Sequence, residues 1–185
     1  DSFDCGRAGT GYVNLYNGDV VIARPLTQCG GNRMPVSITA YYGAQLFGVT
    51  ARVGSHWRLS CDQCMTKSYI NDELYFIWSK GDGSQHYFRK PNSSAAYYED
   101  LSGLSLKLTD NGTYTEIEDK GGTVMRFESP QDALDDTGRL LSITDSCGNT
   151  NTFQYGDWRL ERITDGAGRV TQFTYSGNML TGILA

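Results

Sequence analysis

The side chains that could do chemistry in this sequence are few, and their spacing is informative. Cys61 and Cys64 form a C-x-x-C pair, while Cys5, Cys29 and Cys147 stand alone. Two thiols at this spacing can supply half of a zinc site, close a disulfide or carry thiol redox chemistry. Zinc would call for a second C-x-x-C or an H-x3-5-H, and the only histidines, His56 and His86, do not provide it. A thioredoxin-type role wants the motif at a helix start, but the surrounding HWRLSCDQCMTKSY has no helical period. A disulfide across a turn is the plainer reading. Cys5, Cys29, Cys61 and Cys64 are then the disulfide candidates, with Cys147 left over from an odd count of 5.

Other chemistries find little footing. A nucleophilic triad needs Ser or Cys near His and a carboxylate, yet His56 and His86 each precede an aromatic residue on strand-like segments, and no G-x-S-x-G elbow occurs. The acidic group Asp132, Asp135 and Asp136 lacks the D-x-D-x-D-G loop of a calcium site and reads as a solvated loop. GRAGTG at 6–11 fits neither the dinucleotide nor the P-loop pattern and reads as flexible chain. No catalytic residue, metal or cofactor is expected. Sixteen Lys and Arg against 21 Asp and Glu give a formal charge of -5, opposite in sign to what a phosphate backbone attracts, so nucleic acid is not an expected partner. No apolar run approaches the roughly 20 residues that span a bilayer as a helix. Asn92-Ser93-Ser94 and Asn111-Gly112-Thr113 are candidate N-glycosylation sequons in turn-like stretches. The chain opens at Asp1 without a signal peptide, which is expected of a removed leader or a start within a longer protein. Cysteines, sequons and this start together point to an oxidising, extracellular setting.

The elements that must carry these residues announce themselves through a repeat. RLLSITDSCGNTNTFQY (139–155) aligns with RLERITDGAGRVTQFTY (159–175) at an offset of 20, and a third copy begins at Asn178. Upstream, Ile117, Asp119, Gly122 and Phe127 follow the same skeleton, as do Trp78, Lys80, Gly83 and Phe88 with the Asp lost. Asp at the first position of a type I turn accepts a hydrogen bond from the turn backbone. Gly three residues later supplies the positive φ that completes a bulged hairpin. Asp119, Gly122, Asp145, Gly148, Asp165 and Gly168 are therefore predicted turn residues. Apolar alternation on both sides, Leu141 and Ile143 going in and Phe153 and Tyr155 coming out, predicts half-buried strands. The 22 glycines against 4 prolines fit a chain of many turns, and the fold class is all-β, an antiparallel hairpin meander. On alternating strands most of the aromatics are expected to fill the core rather than to form a sugar platform.

The pattern I-T-D-x-x-G-(x)4-F-x-Y with R-L ahead of it resembles the YD repeat of the RHS family, which includes bacterial RHS and wall-associated proteins, toxin-complex shells and teneurins. GYVNLYNGDVVIARP (11–25), GGNRMPVSITAYYG (30–43) and GSHWRL (54–59) resemble the stretch that leads into such repeats. The resemblance implies a β-sheet that spirals, hairpin by hairpin, into a hollow shell; 185 residues are too few to close such a shell alone. One domain is expected over 1–185, with lead-in strands over 1–68 and degenerate, then regular, repeats over 69–185. The expected function is a non-enzymatic extracellular structural module, a surface scaffold or filament subunit. The alternative is the N-terminal shell segment of a larger RHS toxin or a cell-surface adhesin, with carbohydrate binding in reach. MLTGILA at 179–185 carries no charge or Pro, so it reads as an unprotected edge strand. Self-association through that edge, or continuation of the same polypeptide, is the expected contact, with glycans as further partners and no membrane insertion.

Overall fold

A computed structural model describes residues 2–13, 18–43, 53–132 and 136–185. Seventeen strands and one short 3-10 turn, Gly6–Ala8, make up its regular structure, and no α-helix occurs among the described residues. The first sheet runs β1 (Ser2–Asp4), β2 (Thr10–Val13), β3 (Val20–Gln28), β4 (Ser37–Gly43) and β5 (Trp57–Leu59), each antiparallel to the next. The GRAGTG stretch, expected to be flexible chain, is instead the corner between β1 and β2. Phe3 pairs with Gly11, and its ring occupies the space that a side chain at 11 would need.

The second sheet holds the other twelve strands. They are β6 (Cys64–Ile70), β7 (Glu73–Ser79), β8 (Gln85–Arg89), β9 (Tyr98–Asp100), β10 (Lys107–Asp110), β11 (Tyr114–Glu118) and β12 (Val124–Glu128), then β13 (Thr137–Thr144), β14 (Thr150–Gly156), β15 (Arg159–Thr164), β16 (Val170–Ser176) and β17 (Met179–Leu184). From β6 to β12 each strand pairs with its sequence neighbour. Then β13 pairs with β12 over 140–144 and with β6 over 137–139, which closes eight strands into a barrel. Its second half also pairs with β14, from which β15, β16 and β17 continue as hairpins.

The fold is thus all-β and antiparallel, as expected, and eight strands of the hairpin meander, β6 to β13, form a closed barrel. Gly138 sits at the seam, because a Cβ there would overlap the Glu128 carbonyl oxygen. The two sheets separate at 60–63, between β5 and β6.

An eight-strand barrel leaves an interior that side chains just fill. Met65, Phe76, Phe88, Leu108, Ile117, Phe127 and Leu140 occupy it with no exposed surface. The lead-in sheet closes the other side of the core, and Ile38, Ala40 and Leu59 join Phe153, Ile163 and Phe173 in the same cluster. A buried ion pair marks the passage between the sheets. Arg58 of β5 donates from Nη2 to the Asp62 carbonyl oxygen at 2.6 Å, and its Nε lies 3.8 Å from the Asp62 carboxylate.

Candidate functional site

The geometry that recurs in this protein is a hairpin, and its parts can be followed atom by atom. At the tip of β13–β14, Gly148 N–H donates to the Asp145 carbonyl oxygen at 3.0 Å and Asp145 N–H donates to Asn149 O at 3.0 Å. The Asp145 carboxylate accepts the N–H groups of Cys147 and Asn149, both at 2.9 Å. Twenty residues on, Asp165 repeats the set with Gly168, Ala167 and Arg169. Asp119 does the same with Gly122, Gly121 and Thr123. Gly122, Gly148 and Gly168 have φ of 80°, 83° and 83°. At the degenerate copy Lys80 makes the two backbone bonds, Gly83 has φ 89°, and the missing carboxylate is replaced by Asp82, which accepts from Ser84 N–H at 2.9 Å.

These hydrogen bonds hold the turn carboxylates ionised. The Asn149 side-chain amide is the chief cause of the lowered pKa of Asp145, and the Thr123 N–H that of Asp119. Burial pushes Asp165 upward, but the Arg169 N–H, the Arg169 guanidinium at 2.7 Å and the Ala167 N–H together outweigh it, so its pKa also falls.

A second recurring device ties together the two strands of each hairpin, near its open end. Tyr155 donates its hydroxyl to the Leu140 carbonyl oxygen at 2.8 Å, and Tyr175 donates to Leu160 O at 2.7 Å. Burial pushes the Tyr175 hydroxyl up to about 12, so it remains a donor at any physiological pH. The guanidinium of Arg139 lies 4.9 Å from the Tyr155 ring centre and 5.1 Å from that of Trp158, and Arg159 lies 5.3 Å from Tyr175. The pairing skips one residue at the same point in both repeats, between Gln154 and Tyr155 and between Thr174 and Tyr175. The repeated Arg, Leu and Tyr are therefore one clamp. The side-chain types were visible in the repeat, but the bond to a carbonyl 15 residues back was not.

At the end of the sheet β17 pairs with β16 alone. Leu180 and Ile183 pack against the core, while Met179 and Leu184 are 48% and 69% exposed.

The remaining candidates disperse. His86 is the member of a Ser-His-Asp grouping that comes nearest to a catalytic arrangement. Its Nδ1 is 3.3 Å from Ser102 Oγ and 3.9 Å from Asp100 Oδ1. A relay needs the hydroxyl and the carboxylate on opposite ring nitrogens, whereas here both face one, and the Asp100 carboxylate also accepts the N–H groups of Ser102 and Leu104. His56 lies apart, beside Tyr42 of the lead-in sheet. Among the described residues no three His, Cys, Asp or Glu side chains are grouped to hold a metal ion. Asp135 lies outside the described residues, and Asp136 accepts from Gln131 N–H at 2.6 Å.

Where disulfides were expected, the structure has all five cysteines as free thiols. Cys61 is packed in the hydrophobic cluster, whereas Cys64 starts β6 in register with Ser79 and bonds to Arg58 and Ser79, so the two belong to different environments. Burial raises the pKa of both. Cys5 and Cys29 are half-buried thiols, and Cys147 is exposed at its turn tip.

Both sequon asparagines are exposed. Asn92 accepts from Ser94 N–H at 3.1 Å, and Asn111 from Thr113 and Tyr114 N–H at 3.0 and 2.9 Å. Asn92 and Ser93 border a cavity of about 620 Å³, with Leu74, Tyr98, Arg89 and Lys90. Lys90 Nζ stands 5.6 Å from the centre of the Tyr98 ring, while Arg89 is 3.4 Å from Glu73. Among the described residues no helix is long and apolar enough to cross a membrane. No protein-family model matches the chain, and no curated protein matches it.

Proposed function

We propose that this chain is a non-enzymatic structural module of the YD-repeat type, working in an extracellular setting as a scaffold or filament subunit. One observation carries the reading. Two successive hairpins are built from the same Asp-to-Gly turn and the same Tyr-to-Leu clamp at an offset of 20 residues, and the strand that follows them, β17, offers an unpaired edge. Repeated architectures bury their apolar faces only by stacking on neighbours, so an edge of this kind is a joining surface.

In this reading the next strand comes from a second copy or from further repeats of the same polypeptide. Segments of a larger RHS shell or an adhesin would use the edge in the same way. An adhesin that contacts glycans would have the cavity bordered by Tyr98 and Lys90 as its sugar-sized surface.

The test is sedimentation and negative-stain microscopy of the chain across a concentration series. The expected result is end-to-end association that disappears when Met179 and Leu184, the exposed apolar positions of β17, are both changed to Lys. Leu180 and Ile183 are unsuitable for that purpose because they pack against the core. A monomer at all concentrations, with the β17 amides protected from hydrogen exchange, would overturn the joining role.

A further inference from the structure

Between the lead-in sheet and the repeat hairpins lies a cleft of about 300 Å³, at the lower end of the range for small-molecule sites. Val36 and Ile38 form one wall, Ile143, Phe153 and Ile163 the other, and Cys61 closes one end. Burial holds the Cys61 thiol protonated and thus weakly polar. Ser37, Ser60, Gln63 and Asn151 interrupt these apolar walls. Asn151 also lines the cleft, is only 9% exposed, and its side-chain oxygen is fully buried without a hydrogen-bond partner.

The repeat makes this residue conspicuous, for 20 positions on the chain carries Thr171, buried like Asn151 but with its hydroxyl not left over. A buried carbonyl oxygen without a donor destabilises the fold unless something in the cleft supplies the donor. The nearby polar groups do not. Gln63 uses Nε2 on the Ser60 carbonyl and Oε1 on the Trp78 indole N–H, and Ser60 Oγ accepts the Thr39 N–H. Apart from these groups and Ser37, the lining is apolar.

We propose that this cleft binds a small, flat or branched apolar molecule carrying one hydrogen-bond donor, with the donor on Asn151 Oδ1 and the apolar body between Val36, Ile38, Phe153 and Ile163. A phenol, an indole or the hydroxylated end of an apolar chain has that chemistry. The site joins the two sheets, so occupancy also braces the lead-in sheet against the repeats.

Indole and its carbocyclic analogue indene separate the donor from the shape. The full chain is titrated with each, following the isoleucine methyl resonances of Ile38, Ile143 and Ile163. Indole is expected to saturate and to bind about tenfold more tightly than indene, the ratio one buried hydrogen bond supplies. In Asn151→Leu the preference should vanish or reverse. If that variant fails to fold, the ratio in the wild-type chain decides by itself. Equal affinity of the two probes for the wild type, no shift of the cleft methyls with either, or an indole preference that survives in Asn151→Leu would each overturn the proposal.

Discussion

Changing Gly148 to valine separates backbone conformation from packing. Its φ is 83°, and a Cβ at that position would meet nothing within 4 Å, so no steric neighbour contributes to the cost. What remains is the strain of a left-handed conformation, about 1–2 kcal/mol for an ordinary L-residue and toward about 3 kcal/mol for a β-branched one. Adding a side chain also restricts the unfolded chain, which offsets about 0.5–1 kcal/mol.

The net expectation is a loss of about 1.5–2 kcal/mol for Gly148→Val, less than about 1 kcal/mol for Gly148→Ala, and least for Gly148→Asn, since Asn tolerates this region. For a chain of this size about 2–4 °C accompanies each kcal/mol, so the valine variant should melt about 3–8 °C lower. Ser146→Ala, at an exposed position of the same turn, should stay within about 0.5 kcal/mol of wild type. The assay is thermal and urea unfolding followed by circular dichroism on the four variants in parallel. If Val, Ala and Asn were equivalent at 148, the hairpin would not need its positive φ and the turn assignment would be wrong.

Three further expectations follow from the same geometry. Asp165, Asp145 and Asp119 have folded pKa values below the roughly 3.9 of an unfolded aspartate, so the stability they contribute is complete above that value and drains as pH falls through the folded values. Urea midpoints measured from pH 6 to pH 2 should therefore drop on the acid side, and Asp165→Asn should flatten the drop; an unchanged slope would refute it. Alkylation of the native chain should modify Cys147 first and leave Cys61 and Cys64 unlabelled until unfolding, because both are buried and hard to ionise, and mass mapping of the labelled peptides checks this. Tyr155→Phe removes the bond to the Leu140 carbonyl and should cost about 1 kcal/mol or somewhat more, with Tyr175→Phe costing a similar amount at Leu160; an effect near zero in urea unfolding would dissolve the clamp.

The strand alternation and the turns were legible in the sequence because their causes are local. An aspartate and a glycine three apart close a turn through atoms within four residues of one another, as at Asp145 and Gly148, and that chemistry can be read wherever the spacing recurs. The repeat likewise exposed Arg139, Leu140 and Tyr155 as a set, although not the bond between Tyr155 and Leu140, since a side chain's partner across a sheet depends on register.

The rest was decided in three dimensions. Closure of the barrel rests on Thr137 meeting Thr66, two residues whose types carry no mark of each other, and on the room left at Gly138. The separation of Cys61 from Cys64 follows from one thiol entering the hydrophobic cluster while the other begins a strand, although a C-x-x-C spacing alone permits their union. The cleft beside Asn151 exists only because 35–38 of the first sheet come to lie over 143–163 of the second. Hairpin chemistry is written over four residues and so survives in the sequence; barrel closure, thiol environment and an orphaned carbonyl arise where distant segments meet, and there only the tertiary structure brings the atoms within reach.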